Sequence, residues 1–596
     1  MPVLCPFCGK TSEDAEFCDH CNSDLRSADP SPPSRCPIGD KHLELTDEQR
    51  RKLSHPEAYL VIQDGGQRWR LHWLGPSREW KETALQRAAQ TSHVLPPVRV
   101  VEVENGAWVF GEVGRETFAP WRNSIIASDP MRETERLLGT LQELADAFGE
   151  LHRMGCVCLN FDPTEFDRDK AGRIRFTGFD VRTYPSGRIL EHVTIRNSFA
   201  APEIVAFREA AVGVKSDVFH VALFAYCWLA RLLPHGFPGA GLEAFRYAIP
   251  PLRTYCPQVP EGISAVLRRG TAPEQSVRFG TVAELCDAFQ SALDRAKARR
   301  AFSGPVRYEI GADSRVGRTK AALNKPNEDH ALVRPVGADG AMLVAVADGI
   351  TTCDVGSGEL ASLFATLRIE QAFDGSSRKE EFAEKIKTVC REGAELLLDW
   401  AIDKGYGDQL ALGVDLMGTT LTVAWLEGPE MEVANLGDSR AYLIDGLLIE
   451  QLTVDGDLAS DLLARRKPPE EIQQMGSVSR ALRVCIGGCT LTPEGKPAIL
   501  EDACQPTMSH WRFMPGDVLV FCTDGLVEEG AFLEPDMVAQ IIREHPTASS
   551  QELAERLSDA ADRCQRVPSA MEPEGFGDNV TCVVVRVLDG PSEAPG

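Results

Sequence analysis

The chain has 596 residues, enough for several domains each with its own core, and its 63 Lys and Arg against 88 Asp and Glu leave a net charge of −25. That charge argues against broad nucleic-acid binding. MPVLCPFCGK at the N-terminus has no apolar core of signal-peptide type, and the most apolar later stretch, Val218 to Leu233, is interrupted by His220 and Arg231, so the expectation is a cytoplasmic protein with no membrane partner. Of eighteen cysteines, fourteen are scattered through predicted core elements and read as reduced thiols.

The other four come first in the chain. Cys5-x2-Cys8 and Cys18-x2-Cys21 present four soft thiolates at spacings that tetrahedral zinc accepts, in a segment too small to hold a core without a staple. Residues 1–26 thus resemble a short zinc ribbon with one structural Zn2+, His20 being a substitute ligand or simply solvated. With only Lys10 and Arg26 as cations, protein docking suits it better than nucleic acid. Residues 27–44 follow as a linker in which ADPSPPSRCP is too rich in Pro and Ser for regular structure, and Cys36 has no assigned role.

From 45 to 299 the pattern is mixed. Val98 to Val113 alternates as two strands around Asn105-Gly106, and Glu133 to His152 has apolar residues at helical spacing. Beyond it, Leu151 to Pro163 is similar to the approach to a protein-kinase catalytic loop, and Ile174 to Asp180 to the strand before the magnesium-binding motif. Ala201-Pro202-Glu203, Ser216-Asp217-Val218 and a helix near Thr281 to Ala296 continue in the same order. The resemblance breaks where kinase chemistry is done. Asn160 stands in place of the Asp that orients the substrate hydroxyl, Glu165 in place of the metal-binding Asn, and Gly178 in place of the metal-binding Asp. No Gly-rich phosphate loop precedes them. The expectation is a pseudokinase that binds a partner or masks the domain after it, against an alternative in which Asp162 or Asp180 takes over the lost roles.

The boundary to the last domain is expected in Lys297 to Pro305. Residues 305–588 then carry five acidic motifs in order: Asn327-Glu328-Asp329, Ala347-Asp348-Gly349, Gly437-Asp438-Ser439-Arg440, Thr523-Asp524-Gly525 and Gly577-Asp578-Asn579. Three close apolar runs (Leu343 to Ala347, Met431 to Leu436, Val518 to Cys522) and the last opens one, Val580 to Val587. Any one of them is an ordinary turn signal. Strand ends would however bring these carboxylates to one rim, and clustered carboxylates need hard cations such as Mg2+ or Mn2+.

Taken in order, with Met417-Gly418-Thr419-Thr420 between the second and third, the motifs resemble the type 2C, metal-dependent (PPM) serine/threonine protein phosphatases. The resemblance implies an α-β-β-α sandwich, so the whole chain is expected to be multidomain α+β, with 589–596 as a flexible tail. It also implies two or three Mg2+ or Mn2+ ions. Asp348 would bridge two, with the Gly349 carbonyl on one; Asp524 and Asp578 would bind the other. Glu328 and Asp329 would bind metal or orient its water, and Asp438 would share a third, looser ion with Asp524. An activated water would attack the phosphorus of a phosphoprotein substrate directly. A cation is needed for the phosphoryl oxygens; Lys320 falls where the resemblance expects an Arg, with Arg318 and Lys325 as competitors, and Arg318 or Lys320 is favoured. Ile350-Thr351-Thr352 and Gly456 stand where a general-acid His is frequent, and Leu458 to Gly488 is expected as a flap beside the cleft. Two other readings stay open: a non-enzymatic signalling scaffold, and a bifunctional kinase and phosphatase.

Overall fold

The structure is a computed structural model. It describes residues 3–4, 11–12, 32–38, 41–53, 59–64, 67–74, 97–103, 106–112 and 129–590, the last span excluding 160, 162–166, 169–173, 176–180, 185–199, 207, 232–248, 338–339, 447, 466, 468, 529–530 and 568–574. The described residues fall into two compact units, Met1–Leu293 with Pro468–Glu471, and Asp294–Lys467 with Ile472–Gly596.

In the first unit, Arg35–Ile38 and Lys41–Glu44 form an antiparallel hairpin. This corrects the expectation of an irregular linker through residue 44. Cys36 is fully buried in a small core with Leu45, Leu53, Leu71 and Trp73, and that apolar anchor organises a segment whose composition looked unstructured. A four-stranded sheet follows; in it Pro97–Val103 and Gly106–Glu112 pair in the expected hairpin. Helix Pro130–Arg153 begins at Asp129, whose carboxylate accepts from the Met131 and Arg132 amides, a standard use of Asp to satisfy free N–H groups. Val214–Ala230 is buried on nearly every side, which accounts for its largely apolar character from Val218 on, broken only at the buried His220. Among the described residues no helix is long and apolar enough to cross a membrane.

The second unit is layered helix, sheet, sheet, helix. The strands of its two five-stranded sheets, in chain order, are β1 Val306–Arg315, β2 Asp329–Val336, β3 Ala341–Asp348, β4 Leu421–Glu427, β5 Glu430–Leu436, β6 Arg440–Asp445, β7 Leu448–Gln451, β8 Thr507–Arg512, β9 Val518–Cys522 and β10 Val580–Asp589. One sheet runs β1-β10-β9-β6-β7 and the other β2-β3-β4-β5-β8, every pairing antiparallel. The two-residue period of a strand divides the apolar side chains between layers. On β3, Val344 and Val346 point between the sheets with Leu519 and Phe521 of β9 and Val583 and Val585 of β10. Leu343, Ala345 and Ala347 turn the other way onto helices α1 Gly358–Ala372 and α2 Phe382–Asp403. Val520, Cys522 and Val584 face α3 Pro535–Glu544 and α4 Ser550–Cys564. Strands covered on both faces need continuous apolar runs, the feature of the sequence that marked them.

One helix exceeds its expected length. It runs from Val282 to Ala301, into the segment expected to hold the domain boundary. In its last turns Arg299, 1% exposed at its side chain, bonds both oxygens of Asp517 at 2.8 Å and Asp445 Oδ2 at 2.6 Å. Arg295 also pairs with Asp445, and the Phe302 carbonyl accepts from Arg512. Long-range ion pairs thus order a basic stretch that by itself reads as a helix end.

Candidate active site

The antiparallel register of β2 and β3 sets Asp329 directly opposite Asp348, and that of β9 and β10 brings their ends, with Asp524 and Asp578 just outside them, to one rim of the other sheet. The two rims meet. Thr523 Oγ1 donates to Asp329 Oδ2 at 2.8 Å, and the Glu328 amide donates to Asn579 Oδ1 at 3.1 Å. Asp438 occupies the turn from β5 to β6, entered through Gly437 at φ 99°, a conformation that favours glycine.

The backbone at Asp348 is held on three sides. Its amide donates to Thr420 Oγ1, and its carbonyl accepts from Thr419 Oγ1 and the Thr420 amide, at 2.8–3.0 Å. Gly349 donates its N–H to the Glu328 carbonyl, and a Cβ there would lie 2.1 Å from the Gly358 carbonyl oxygen; only glycine permits that approach.

Electrostatically the rim is unfavourable as it stands. Burial, and then the neighbouring carboxylates, hold Asp348 and Asp438 well above the ordinary aspartate range and push Asp329 up to about 7. Burial and Asp524 raise Asp578, while Lys320 works against them. Asp329 Oδ1 and Asp524 Oδ1 are buried with no hydrogen-bond partner. Among the described residues no three such groups stand ready-closed as a metal cage; repelling carboxylates spread around the rim. The donors are all oxygen, most of them carboxylate, and two are otherwise unpaired. Those features fit hard divalent cations.

The three expected phosphate cations separate. Lys320, in the short helix Arg318–Ala322, reaches into the rim: its Nζ lies 3.0 Å from Glu328 Oε2, 2.8 Å from Thr351 Oγ1 and 3.0 Å from Asp578 Oδ1. Burial disfavours its charge, but Asp578 and Glu328 outweigh that and raise its pKa. Arg318 turns instead to Asp562 on α4, at 3.0–3.1 Å, and Lys325 is exposed. Gly456 has no room for a side chain, since a Cβ would lie 2.2 Å from Val484 Cγ2. In the segment expected as a flap, helix Leu458–Ala464 and the turn Gly476–Arg480 precede Ile486–Gly487, which pairs with Gly418–Thr419 beside Asp348. Arg480 pairs with Glu528, just past Asp524.

Several rim residues escape a motif reading. Thr351 donates to Glu328 Oε2 at 2.6 Å, and Arg440 makes bonds of 2.6–3.1 Å to Asp455 and one to the Val527 carbonyl. Thr523, Asn579 and Arg440 lay inside the motifs, so their presence was visible although their partners were not. Thr351 and Asp455 carried no signal.

In the first unit, Cys5, Cys8, Cys18, Cys21, Asn160, Glu165 and Gly178 lie outside the described residues. The motifs flanking them are joined by buried polar contacts. Fully buried Asp217 accepts from the Cys158 amide at 3.1–3.2 Å and lies 2.8 Å from His152 Nε2. Glu203 takes Ser216 Oγ at 2.6 Å and both terminal nitrogens of Arg278 at 2.9 and 3.1 Å.

Residues 316–560 match the family Protein phosphatase 2C. The serine/threonine protein phosphatase PstP of Mycobacterium tuberculosis is 27% identical over 271 residues, 44% of this chain and 44% of that protein. The serine/threonine phosphatase stp of Listeria innocua is 27% identical over 169 residues, 28% of this chain and 56% of that one. The chain thus spans about half the length of these curated relatives. Among solved structures, the PstP/Ppp phosphatase of M. tuberculosis is 23% identical, covering 48% of this chain and all of that one, with a TM-score of 0.35. Another PstP catalytic-domain structure, described as in complex with two manganese ions, gives 23% and a TM-score of 0.34, covering 48% of this chain and 99% of that one. The C-terminal region is of the protein phosphatase 2C type.

Proposed function

From a C-terminal domain of the protein phosphatase 2C type, we propose that this protein hydrolyses phosphoserine and phosphothreonine in protein substrates, with two or three Mg2+ or Mn2+ ions at the rim of the two sheets. The observation that carries this reading is the all-oxygen rim itself, where carboxylates from both sheets are buried together and Asp329 Oδ1 and Asp524 Oδ1 have no partner. Asp348 with the Gly349 carbonyl, Asp524 and Asp578 would hold two ions; Glu328 and Asp329 would bind metal or orient its water, and Asp438 with Asp524 would hold a third. When bound, such ions supply an activated water as nucleophile and neutralise charge on the phosphoryl group.

The protein's own groups do the rest. Thr523, Thr419 and Thr420 fix the carboxylates through hydrogen bonds to Asp329 and to the Asp348 backbone. Lys320, rather than Arg318, is the cation for the phosphoryl oxygens, since Arg318 is spent on Asp562. With no imidazole at 350–352 or 456, the leaving alkoxide would take its proton from metal-bound water or solvent. The test uses Asp348→Asn and Asp524→Asn with Mn2+ and a phosphothreonine peptide. Each should nearly abolish phosphate release with the fold retained by circular dichroism; near-normal turnover in either would refute the assignment.

For the N-terminal part the reading is a structural Zn2+ on Cys5, Cys8, Cys18 and Cys21, then a pseudokinase over 45–299 that lost its chemistry at Asn160, Glu165 and Gly178 and docks a protein partner. The buried ties among Cys158, Asp217, Glu203 and Arg278 support a preserved frame around those positions. Buried cysteines such as Cys390, Cys522 and Cys582, which stand as free thiols, support a reducing, cytoplasmic setting.

A further inference from the structure

Lys320 is placed in the rim by backbone packing. Its helix is fastened to residues on either side of 568–574: the Thr319 amide donates to Gln565 Oε1, and Thr319 Oγ1 lies within hydrogen-bond reach of the Arg566 and Phe576 carbonyls at 3.1 and 3.2 Å. Gly317 sits so close that a Cβ there would lie 1.9 Å from the Asp578 carbonyl oxygen. From that base the side chain, 7% exposed, meets three acceptors: Glu328 Oε2, Thr351 Oγ1 and Asp578 Oδ1. An ammonium has three N–H bonds. All three are used, so none is free for a phosphoryl oxygen, and two of the acceptors are carboxylates assigned above to divalent ions.

We infer that Lys320 is a built-in counter-ion that competes with a divalent cation for Asp578. In the metal-free protein its ammonium holds Glu328 and Asp578 together; as a divalent ion loads, Lys320 gives up Asp578 and gains a free N–H directed at substrate phosphate. Cation loading and phosphate binding are thereby coupled through one side chain, and such coupling is reciprocal. The inference rests on reading the rim as a metal centre.

The test is Mn2+ binding to the full-length chain, freed of loosely held divalent ions, by titration calorimetry and electron paramagnetic resonance at neutral pH. Lys320→Gln is expected to bind at least one Mn2+ about tenfold more tightly than the unsubstituted protein, since an opposing charge within contact distance is removed, and to melt at a lower temperature without metal. Lys325→Gln removes the same charge from an exposed side chain and is expected to leave affinity within about twofold. Unchanged or weaker binding in Lys320→Gln overturns the inference while leaving the metal centre standing, as does equal tightening in Lys325→Gln, which would reduce the effect to long-range charge. If the unsubstituted protein binds no Mn2+, the metal-centre reading falls and takes the inference with it. Should Lys320→Gln not fold, Lys320→Met keeps the aliphatic stem. Failure of both to fold even in millimolar Mn2+ also overturns it, because a competing cation would have replaced the missing charge.

Discussion

Arg299→Ala is expected to destabilise the C-terminal unit severely although it lies outside the boundary that composition suggested. Arg299 donates to both oxygens of Asp517, which has 0% side-chain exposure, and to Asp445, which has 10%. The carboxylates outweigh burial and raise its pKa, so it stays charged across any working pH. Truncation leaves Asp517 buried with the Met514 amide and the Arg295 guanidinium, at 3.1 and 3.5 Å, as its remaining side-chain contacts. Breaking such a pair from one side costs about 3–5 kcal/mol, against a whole-domain stability of about 5–15 kcal/mol. A chain starting at 305 would lose Arg295, Arg299 and the Phe302 carbonyl that accepts from Arg512. The assay is urea unfolding of the full chain, followed through Trp fluorescence and, in parallel, through hydrolysis of a small aryl phosphate, which reports the C-terminal unit alone. A loss below about 1 kcal/mol in that unit would refute the reasoning and make the pair an ordinary surface contact.

Glu203→Gln tests the ties of the first unit. Burial works against the Glu203 carboxylate, but Arg278 outweighs it and holds Glu203 below its ordinary pKa. Its stabilisation is therefore full above the ordinary glutamate range and lost as pH falls through the depressed folded value; the variant should be about 3 kcal/mol less stable at neutral pH, with the gap closing in acid, and a gap constant down to strongly acidic pH would sink this account. Cys5→Ser with Cys8→Ser should remove one tightly held zinc, seen by elemental analysis, without changing aryl phosphate turnover; an unsubstituted protein lacking zinc, or a disulfide between these cysteines, would contradict the ribbon. The full chain carrying Asp348→Asn should incorporate no label from ATP. Incorporation that vanishes on changing Asp162 or Asp180 would show that kinase ligands have moved rather than disappeared.

What the sequence by itself determined was local. Apolar runs such as Val518 to Cys522 and Val580 to Val587, each ending or beginning beside an acid, announce strands buried on both faces with carboxylates at their tips, because strand period and turn chemistry are encoded within a few residues. The tertiary structure decided which groups meet. Asp329 touches Thr523 across 194 positions of chain, and no short-range pattern specifies that contact. Arg318 and Lys320 compete for the phosphate role in the sequence, although Lys320 falls where the family's Arg is expected; Asp562, more than 240 positions on, takes the first, and the rim takes the second. Cys36 sat in a segment whose composition promised nothing regular and Arg299 in what read as a basic helix end, yet a distant apolar cluster buries one and two distant aspartates order the other. Burial and charge pairing act through space, so a residue's partners depend on how the whole chain has folded, whereas its propensity does not.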